Sequence, residues 1–462
     1  MGTRSLIHSK VGQVIVWLLV GMSPVFADFQ QDQPKGVWNV GVATTIITPK
    51  EATWLAGYAS RTHAAEGKLH DLWAKALVLE DNDGNMAVIV TTDLLGLPRN
   101  MSRRIRGALS AQLGLSKAEI ILNSSHTHSG PVLVESLRDI YPVKPEDLER
   151  IQRYSIWLEE QLVKLVTTAV KQMETAILTS GQGVTRFQVN RRNNDQKNLE
   201  KLTELKGPID HSVPVLKVTT PSGKLKAILF GYACHPTVLD GYQYSGDYVG
   251  FAQLELEQRY PGAVALFFQG AGGDQNPLPR RSIPLAKQYG KELAAAVERV
   301  LEEDDLKMLE PRLRTAYQEV ELPLEDPPTA EDLKQILGKE GQIPYVLAWA
   351  ERMLERLQNG ERLERSYAYP IQAWQLGDQL LVSLGGELVV EYAIKLKAKY
   401  GQDTFVMGYC NDVMGYIPSA TILREGGYEG DTAQKVYGLP AKWGVTIEQL
   451  IDEGCDRVIG QL

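Results

Sequence analysis

Cysteine is nearly absent from this chain. Cys234, Cys410 and Cys455 are its three cysteines in 462 residues. That odd, widely spaced set excludes a disulfide framework and leaves room for one bridge at most. Cys-x-x-Cys and His-Glu-x-x-His runs are both missing, which removes the structural zinc knuckle and the zincin helix. No Gly-Lys-Ser/Thr follows a glycine-rich stretch, so there is no Walker loop. Positive charge is in deficit too: 49 Lys and Arg stand against 57 Asp and Glu, whereas a nucleic-acid partner requires a basic footprint. Past the N-terminus no apolar run is long enough to cross a bilayer. Short-period repeats and low-complexity tracts are lacking. What remains is an ordinary globular balance, 44% hydrophobic and 23% charged, in a chain long enough for a large core.

The N-terminus reads differently from the rest. Arg4 and Lys10 precede the short apolar run Val14–Val20, and Val25-Phe26-Ala27 offers a signal-peptidase site before Asp28. Residues 1–27 are therefore expected to be a cleaved export signal, and 28–462 the working domain. The signal holds two basic residues and no acid. Without it the chain keeps 47 basic against 57 acidic residues, a formal charge of −10.

Residues 37–93 alternate strand and turn, with Met86–Thr91 reading as a fully buried strand after the Asp81–Gly84 turn. The periodicity predicts helices over 102–113, 148–173, 247–260 and 286–303, and strands over 118–125, 215–219, 226–234 and 263–269. Residues 302–365, rich in Glu, Lys, Leu and Pro, read as a peripheral charged insertion with helices at 330–337 and 344–358. A hairpin over 371–384 turns at Gly377-Asp378. The repeated strand–helix–strand order predicts an α/β core, a mixed or mostly parallel sheet flanked by helices. In such folds catalytic groups gather where strands end.

Several candidate groups fall at such ends. His126 and His128 follow the strand that runs to Ser125; as i and i+2 on a strand they would share a face. With seven histidines in the chain, this pair is a strong signal. His235 closes another strand before Pro236; alone it would more often be structural, but the pair reverses that prior. Phe267–Pro277 breaks into Gly-Ala-Gly-Gly with Asp274, and reads equally as an anion nest or as a tight turn. Glu387 follows Gly385-Gly386 and opens a predicted helix over 388–400, where capping competes with metal ligation. Tyr416 and Tyr428 sit among glycines, where aromatics often serve as loop anchors. Asn190-Arg191-Arg192 follows a strand, where paired arginines usually face solvent. Three ligand-type side chains from separate strand ends, with a position left open, is the arrangement of a catalytic zinc site.

In that order these residues resemble the neutral ceramidase family, secreted zinc amidases that split N-acylsphingosines. The resemblance runs from about Val42 to Gly430. It rests on Gly57-Tyr-Ala, His70, Ser125-His-Thr-His-Ser-Gly-Pro131, Asn190-Arg191, His235-Pro-Thr237, Ser245-Gly-Asp247, Gly273-Asp274, Gly386-Glu387 and Gly415-Tyr-Ile-Pro418. It implies a zinc ion held by His126, His235, Glu387 and Tyr416. It places His128 beside the metal as a proton-transfer or substrate-orienting group, and Arg191 with Tyr428 on the scissile amide or its oxyanion; Asp274 joins them as a catalytic candidate. The implied reaction is hydrolysis of a small-molecule or lipid amide, ceramide-like, by metal-activated water, with peripheral membrane contact and no nucleic-acid partner. Two departures point elsewhere. The family's glycine loop reads Gly-Asp-Val-Ser-Pro-Asn, whereas this chain has Gly273-Asp-Gln-Asn-Pro277, without the serine. The family's C-terminal β-sandwich also finds no counterpart in the fold expected here. The alternatives are a zinc hydrolase of another amide or ester, and a catalytically inactive exported binding protein of the same fold.

Overall fold

The computed structural model describes residues 37–137 and 139–462; the expected export signal at 1–27 lies outside them. The main sheet is built from β1 (Trp38–Ile46), β2 (Trp73–Glu80), β3 (Met86–Thr92), β4 (Ile120–Ser124), β5 (Glu174–Val184), β6 (Ser212–Thr219), β7 (Leu225–Tyr232) and β8 (Val264–Gln269). Their order is β8-β7-β6-β5-β1-β2-β3-β4, and a ninth, two-residue strand, Lys307–Met308, pairs with β5. The two outermost pairs, β7/β8 and β3/β4, are parallel, and every pair between them is antiparallel. Of the two expected sheets the mixed one is observed. The mostly parallel alternative fails because short turns such as Asp81–Gly84 join neighbouring strands directly, which only antiparallel pairing allows.

A second sheet holds β9 (Leu313–Pro323), β10 (Ser366–Leu376), β11 (Gln379–Leu384) and β12 (Phe405–Met407) in that order, with β11/β12 parallel. The expected hairpin is β10/β11, turning on Gly377 at φ +57°. The expectation of a peripheral insertion at 302–365 needs correction. Helices α5 (Ala330–Leu337) and α6 (Pro344–Gln358) form where predicted, but β9 lies in the same stretch and pairs with β10 along its whole length. Its charged alternation hides the strand: Arg314 and Glu319 lie between the buried Leu313, Ala316, Val320 and Leu322.

The described residues stack in four layers, and strand periodicity explains them. In β2, Ala74, Ala76 and Val78 pack under helices α1 (Arg99–Leu113) and α2 (Pro145–Lys171), whereas Leu77 and Leu79 point the other way, against the second sheet. In β8, Ala265 and Phe267 face α3 (Asp247–Arg259) and α4 (Ile283–Leu301), while Leu266 and Phe268 join the inter-sheet core beside Trp374, Leu381 and Phe405. The far side of the second sheet is covered by α7 (Val390–Tyr400) and the C-terminal helix Ile447–Ile459. Strands buried on both faces must be apolar throughout, which is why Ala87–Val90 reads as a continuous run rather than an alternation.

Asn123 closes this arrangement. It occupies an inward-facing position of β4, two residues after Ile121. Its side-chain carbonyl accepts the Gln269 N–H (2.9 Å), and its amide donates to the Gly408 carbonyl (2.8 Å). One side chain thereby ties together the ends of β4, β8 and β12. Within the two large sheets the parallel pairs β3/β4, β7/β8 and β11/β12 send their carboxyl ends toward the loops that carry the candidate residues.

Candidate active site

His126 follows β4, His235 follows β7, Glu387 follows β11 and Tyr416 follows β12. The histidine pair does not lie on a strand, as the i, i+2 reading required. The strand ends at Ser124, and His126 takes the left-handed conformation at φ +66°. Its backbone N–H donates to the Leu94 carbonyl (2.9 Å). The turn, not the pleat, brings His126 and His128 together, with their Nε2 atoms 3.2 Å apart. Gly57 makes room for the second ring: its φ is +100°, and a Cβ there would overlap His128. Tyr58 packs on the same ring, centroids 4.7 Å apart.

Both ligand-type histidines are oriented through Nδ1. That of His126 lies 2.6 Å from the Leu95 carbonyl, and that of His235 lies 2.6 Å from the Gly272 carbonyl. A carbonyl only accepts, so each Nδ1 carries the proton and each Nε2 keeps its lone pair. Those lone pairs converge on Glu387, whose Oε2 is 3.2 Å from His126 Nε2 and 2.9 Å from His235 Nε2. The Tyr416 hydroxyl lies 3.4 Å from His235 Nε2. Burial is nearly complete: His126 is 0%, His235 1% and Glu387 2% exposed.

Such a set of acceptors is unfavourable without a cation between them. Burial pushes His235 down to about 4, so its proton is unavailable for that role at neutral pH. Burial pulls the His128 imidazole well below its usual range, and a proton on either neighbouring imidazole would lower it further. Burial would raise Glu387, but the neighbouring imidazoles outweigh it and hold the carboxyl well below its usual range. A tetrahedral ion with bonds of about 2.0–2.1 Å keeps its ligand atoms about 3.3 Å apart, and the separations above span 2.9–3.4 Å. The donor set therefore fits a divalent metal of zinc type. His126, His128 and His235 also form a group of their own, each offering a ring nitrogen, with these atoms all within 4.8 Å of one another.

Glu387 is not the opening residue of a helix. It sits in a short parallel pairing with Tyr416, and α7 begins at Val390. The carboxylate is thus free for the histidines, and the capping of α7 is done from elsewhere. Asp274 does it: one oxygen accepts the Val390 N–H (3.0 Å) and the other the Asn190 amide (2.9 Å). Burial pushes its carboxyl up, and both oxygens are bound to protein donors.

The reading of the glycine loop as an anion nest is not supported either. The N–H groups of Gly270, Gly272 and Gly273 donate to the carbonyls of Tyr232, Gly270 and Leu388. Its glycines serve close packing: a Cβ on Gly272 would press on Gln269 and on the backbone of Cys234. The loop's contribution to the site is the Gly272 carbonyl that aims His235.

Arg191 and Arg192 do not face solvent, because Glu429 takes both, Arg191 at 2.7 Å and Arg192 at 2.7 Å. Arg191 also donates to the Tyr416 hydroxyl (3.1 Å) and reaches Asn276 Oδ1 (3.4 Å). Asn276 lies in the run where the resembled family carries its serine. Tyr428, at 44% exposure, stands at the rim with its ring edge-on to Tyr416. Sequence reasoning missed three residues. Tyr437 donates its hydroxyl to Glu387 Oε1, Tyr409 packs its ring 4.5 Å from that of His126, and Glu429 holds both arginines. No local pattern marks Tyr437 or Tyr409, since their roles arise from chain crossings. Cys234 lies in the outer core with α3 and α4, and all three cysteines are free and buried.

Known proteins share this fold. The chain superposes on the crystal structure of neutral ceramidase from Pseudomonas aeruginosa with a TM-score of 0.68 at 19% identity, covering 92% of this chain and 75% of that one. A ceramidase complexed with C2 gives 0.69 over the same shares. Neutral ceramidase B of Dictyostelium discoideum is 25% identical over 260 residues, and neutral ceramidase of Drosophila melanogaster likewise. These stretches cover 53% and 52% of this chain but 36% of each relative, so the match spans about a third of the curated proteins. The family model described as neutral/alkaline non-lysosomal ceramidase, N-terminal, matches residues 38–280. That stretch is more than half of the chain and includes His126, His128 and His235. With the fold and the histidine cluster in agreement, the chain belongs to the neutral/alkaline non-lysosomal ceramidase family.

Proposed function

We propose that this chain is an exported, zinc-dependent amidohydrolase that cleaves the amide of an N-acyl lipid of the ceramide type. The observation that carries the proposal is the convergence of the His126 and His235 Nε2 lone pairs on Glu387 Oε2. His126, His235, Glu387 and Tyr416 would hold the metal. When bound, zinc supplies a Lewis acid that polarises a carbonyl and acidifies water. The protein does the rest. His128, kept neutral by its burial, takes the proton of the attacking water and returns it to the leaving amine. Arg191 stays charged against Glu429 and, with the Tyr428 hydroxyl at the rim, stabilises the tetrahedral oxyanion. Asp274 acts through position, fixing α7 behind Glu387. Asn276 bears a carboxamide, which is no nucleophile, so water attacks directly.

Lipid hydrolysis by an exported protein takes place at a membrane surface, and no helix among the described residues is long and apolar enough to cross one. A second reading, hydrolysis of a water-soluble amide, draws on the charge beside the site: Tyr58, which packs on His128, receives a hydrogen bond from Arg281 (2.9 Å). The test is zinc content together with turnover of a short-chain N-acylsphingosine and of water-soluble amides. About one zinc per chain is expected, with turnover of the sphingosine amide. A His235→Ala variant should lose both the metal and activity by a factor on the order of 10³. Full activity or full zinc in that variant would refute the assignment.

A further inference from the structure

Helix α1 is basic without a single acid: its charged residues are Arg99, Arg103, Arg104 and Arg106. Met101, Ile105 and Leu109 form its apolar stripe against the main sheet, and Arg104 turns to Glu159 of α2 (2.7 Å). The other three arginines follow one another at turn spacing. With Lys117 they line a cavity of about 430 Å³ between α1 and the second sheet. This cavity shares no lining residue with the histidine cluster.

Two carboxylates face these four cations. Asp412 accepts from Arg99 (3.0 Å) and from the Tyr367 hydroxyl (2.7 Å). Glu319 takes Lys117 (2.7 Å) and the Tyr317 hydroxyl (2.8 Å), leaving Arg103 at 3.9 Å. Arg106 has no carboxylate partner among the described residues. It donates to the Lys117 carbonyl, and its guanidinium lies over the Tyr317 ring at 4.7 Å. The side chain is 6% exposed, yet its Nε is buried without an acceptor. Glu319 acts on Arg106 from across the cavity but makes no ion pair with it. A guanidinium buried without a direct carboxylate partner is costly, and an anion in the cavity offsets that cost.

We propose that this cavity is an anion site for a tetrahedral oxyanion, phosphate or the phosphoryl group of a small phosphomonoester, held by Arg106 and Arg103. The planar fork of arginine matches two oxygens of such a group. Burial pushes the Arg106 guanidinium below its usual range, and the nearby Tyr317 and Glu319 offset this only in part.

The test is calorimetric titration of the full chain with inorganic phosphate in phosphate-free buffer. Binding of one phosphate per chain is expected, and it should persist in His235→Ala, which separates it from the histidine site. Arg103→Gln changes a half-exposed side chain and should weaken binding by roughly tenfold; Arg106→Gln should abolish it. Titration with glycerol phosphate and sedimentation with phosphatidate vesicles, each with Arg103→Gln as control, distinguish a free phosphoryl group from a lipid headgroup. Absence of binding at about 10 mM phosphate, undiminished affinity in Arg103→Gln, or loss of binding in His235→Ala would each overturn the proposal.

Discussion

His128 and Gly57 are two parts of one device. The imidazole lies where a Cβ on residue 57 would be, and Gly57 holds φ +100°, a conformation alanine resists. Gly57→Ala must therefore move the ring while leaving His126, His235 and Glu387 in place. The expected outcome is loss of activity by roughly a hundredfold or more with zinc content unchanged. Loss of metal along with activity would show that His128 is itself a ligand, which its place 3.2 Å from His126 Nε2 makes a meaningful control. Both histidines were visible in His-Thr-His-Ser-Gly-Pro. What was not visible was that His126 leaves the strand: a positive φ on a non-glycine residue is imposed by its surroundings, here the Leu94 and Leu95 carbonyls that bind its backbone N–H and its Nδ1.

At the scale of elements, the loop after β8 aims His235 through a backbone carbonyl. Gly272→Ala should press this loop off the end of β7 and lower metal affinity by about 10–100-fold, the usual size of an outer-shell effect. Metal titration monitored by retained zinc checks it; unchanged affinity would mean that the loop has slack. Asn123 works at the same scale. Asn123→Ala strands the Gln269 N–H in the core and leaves the Gly408 carbonyl only the weak Cys410 thiol as donor, at a cost of about 1–3 kcal/mol. Urea unfolding of the variant should show the loss, and a midpoint equal to that of the parent would contradict it. The strands and helices around these points were mostly legible, because burial on one or two faces writes itself into periodicity. β9 was not, since Arg314 and Glu319 on its exposed positions gave it the composition of a solvated insertion.

At the scale of the whole molecule, the metal would join loops from the ends of both sheets: His126 and His235 from the first, Glu387 and Tyr416 from the second. Binding that favours the folded state then stabilises the union of the layers. Chelator dialysis should lower the thermal midpoint by several degrees, with zinc restoring it, since a ligand at a thousand times its Kd contributes about 4 kcal/mol. His235→Ala should show no such shift. A parent protein indifferent to the chelator would exclude a resident metal as part of the fold.

The sequence by itself determined the α/β class, most element positions, and the histidine, glutamate and tyrosine candidates, because periodicity and strand-end motifs are local properties. It also carried the family, through residues 38–280. The tertiary structure alone decided which candidates meet. Glu387 and Tyr416 lie outside that matched stretch and reach His235 across more than a hundred residues of chain. The same crossings turned Asp274 into a cap for α7, bound the glycine-loop amides to protein carbonyls, and brought Tyr437 onto Glu387. A side chain's role depends on which donors and acceptors surround it, and in this fold those partners come from distant strand ends that no local pattern records.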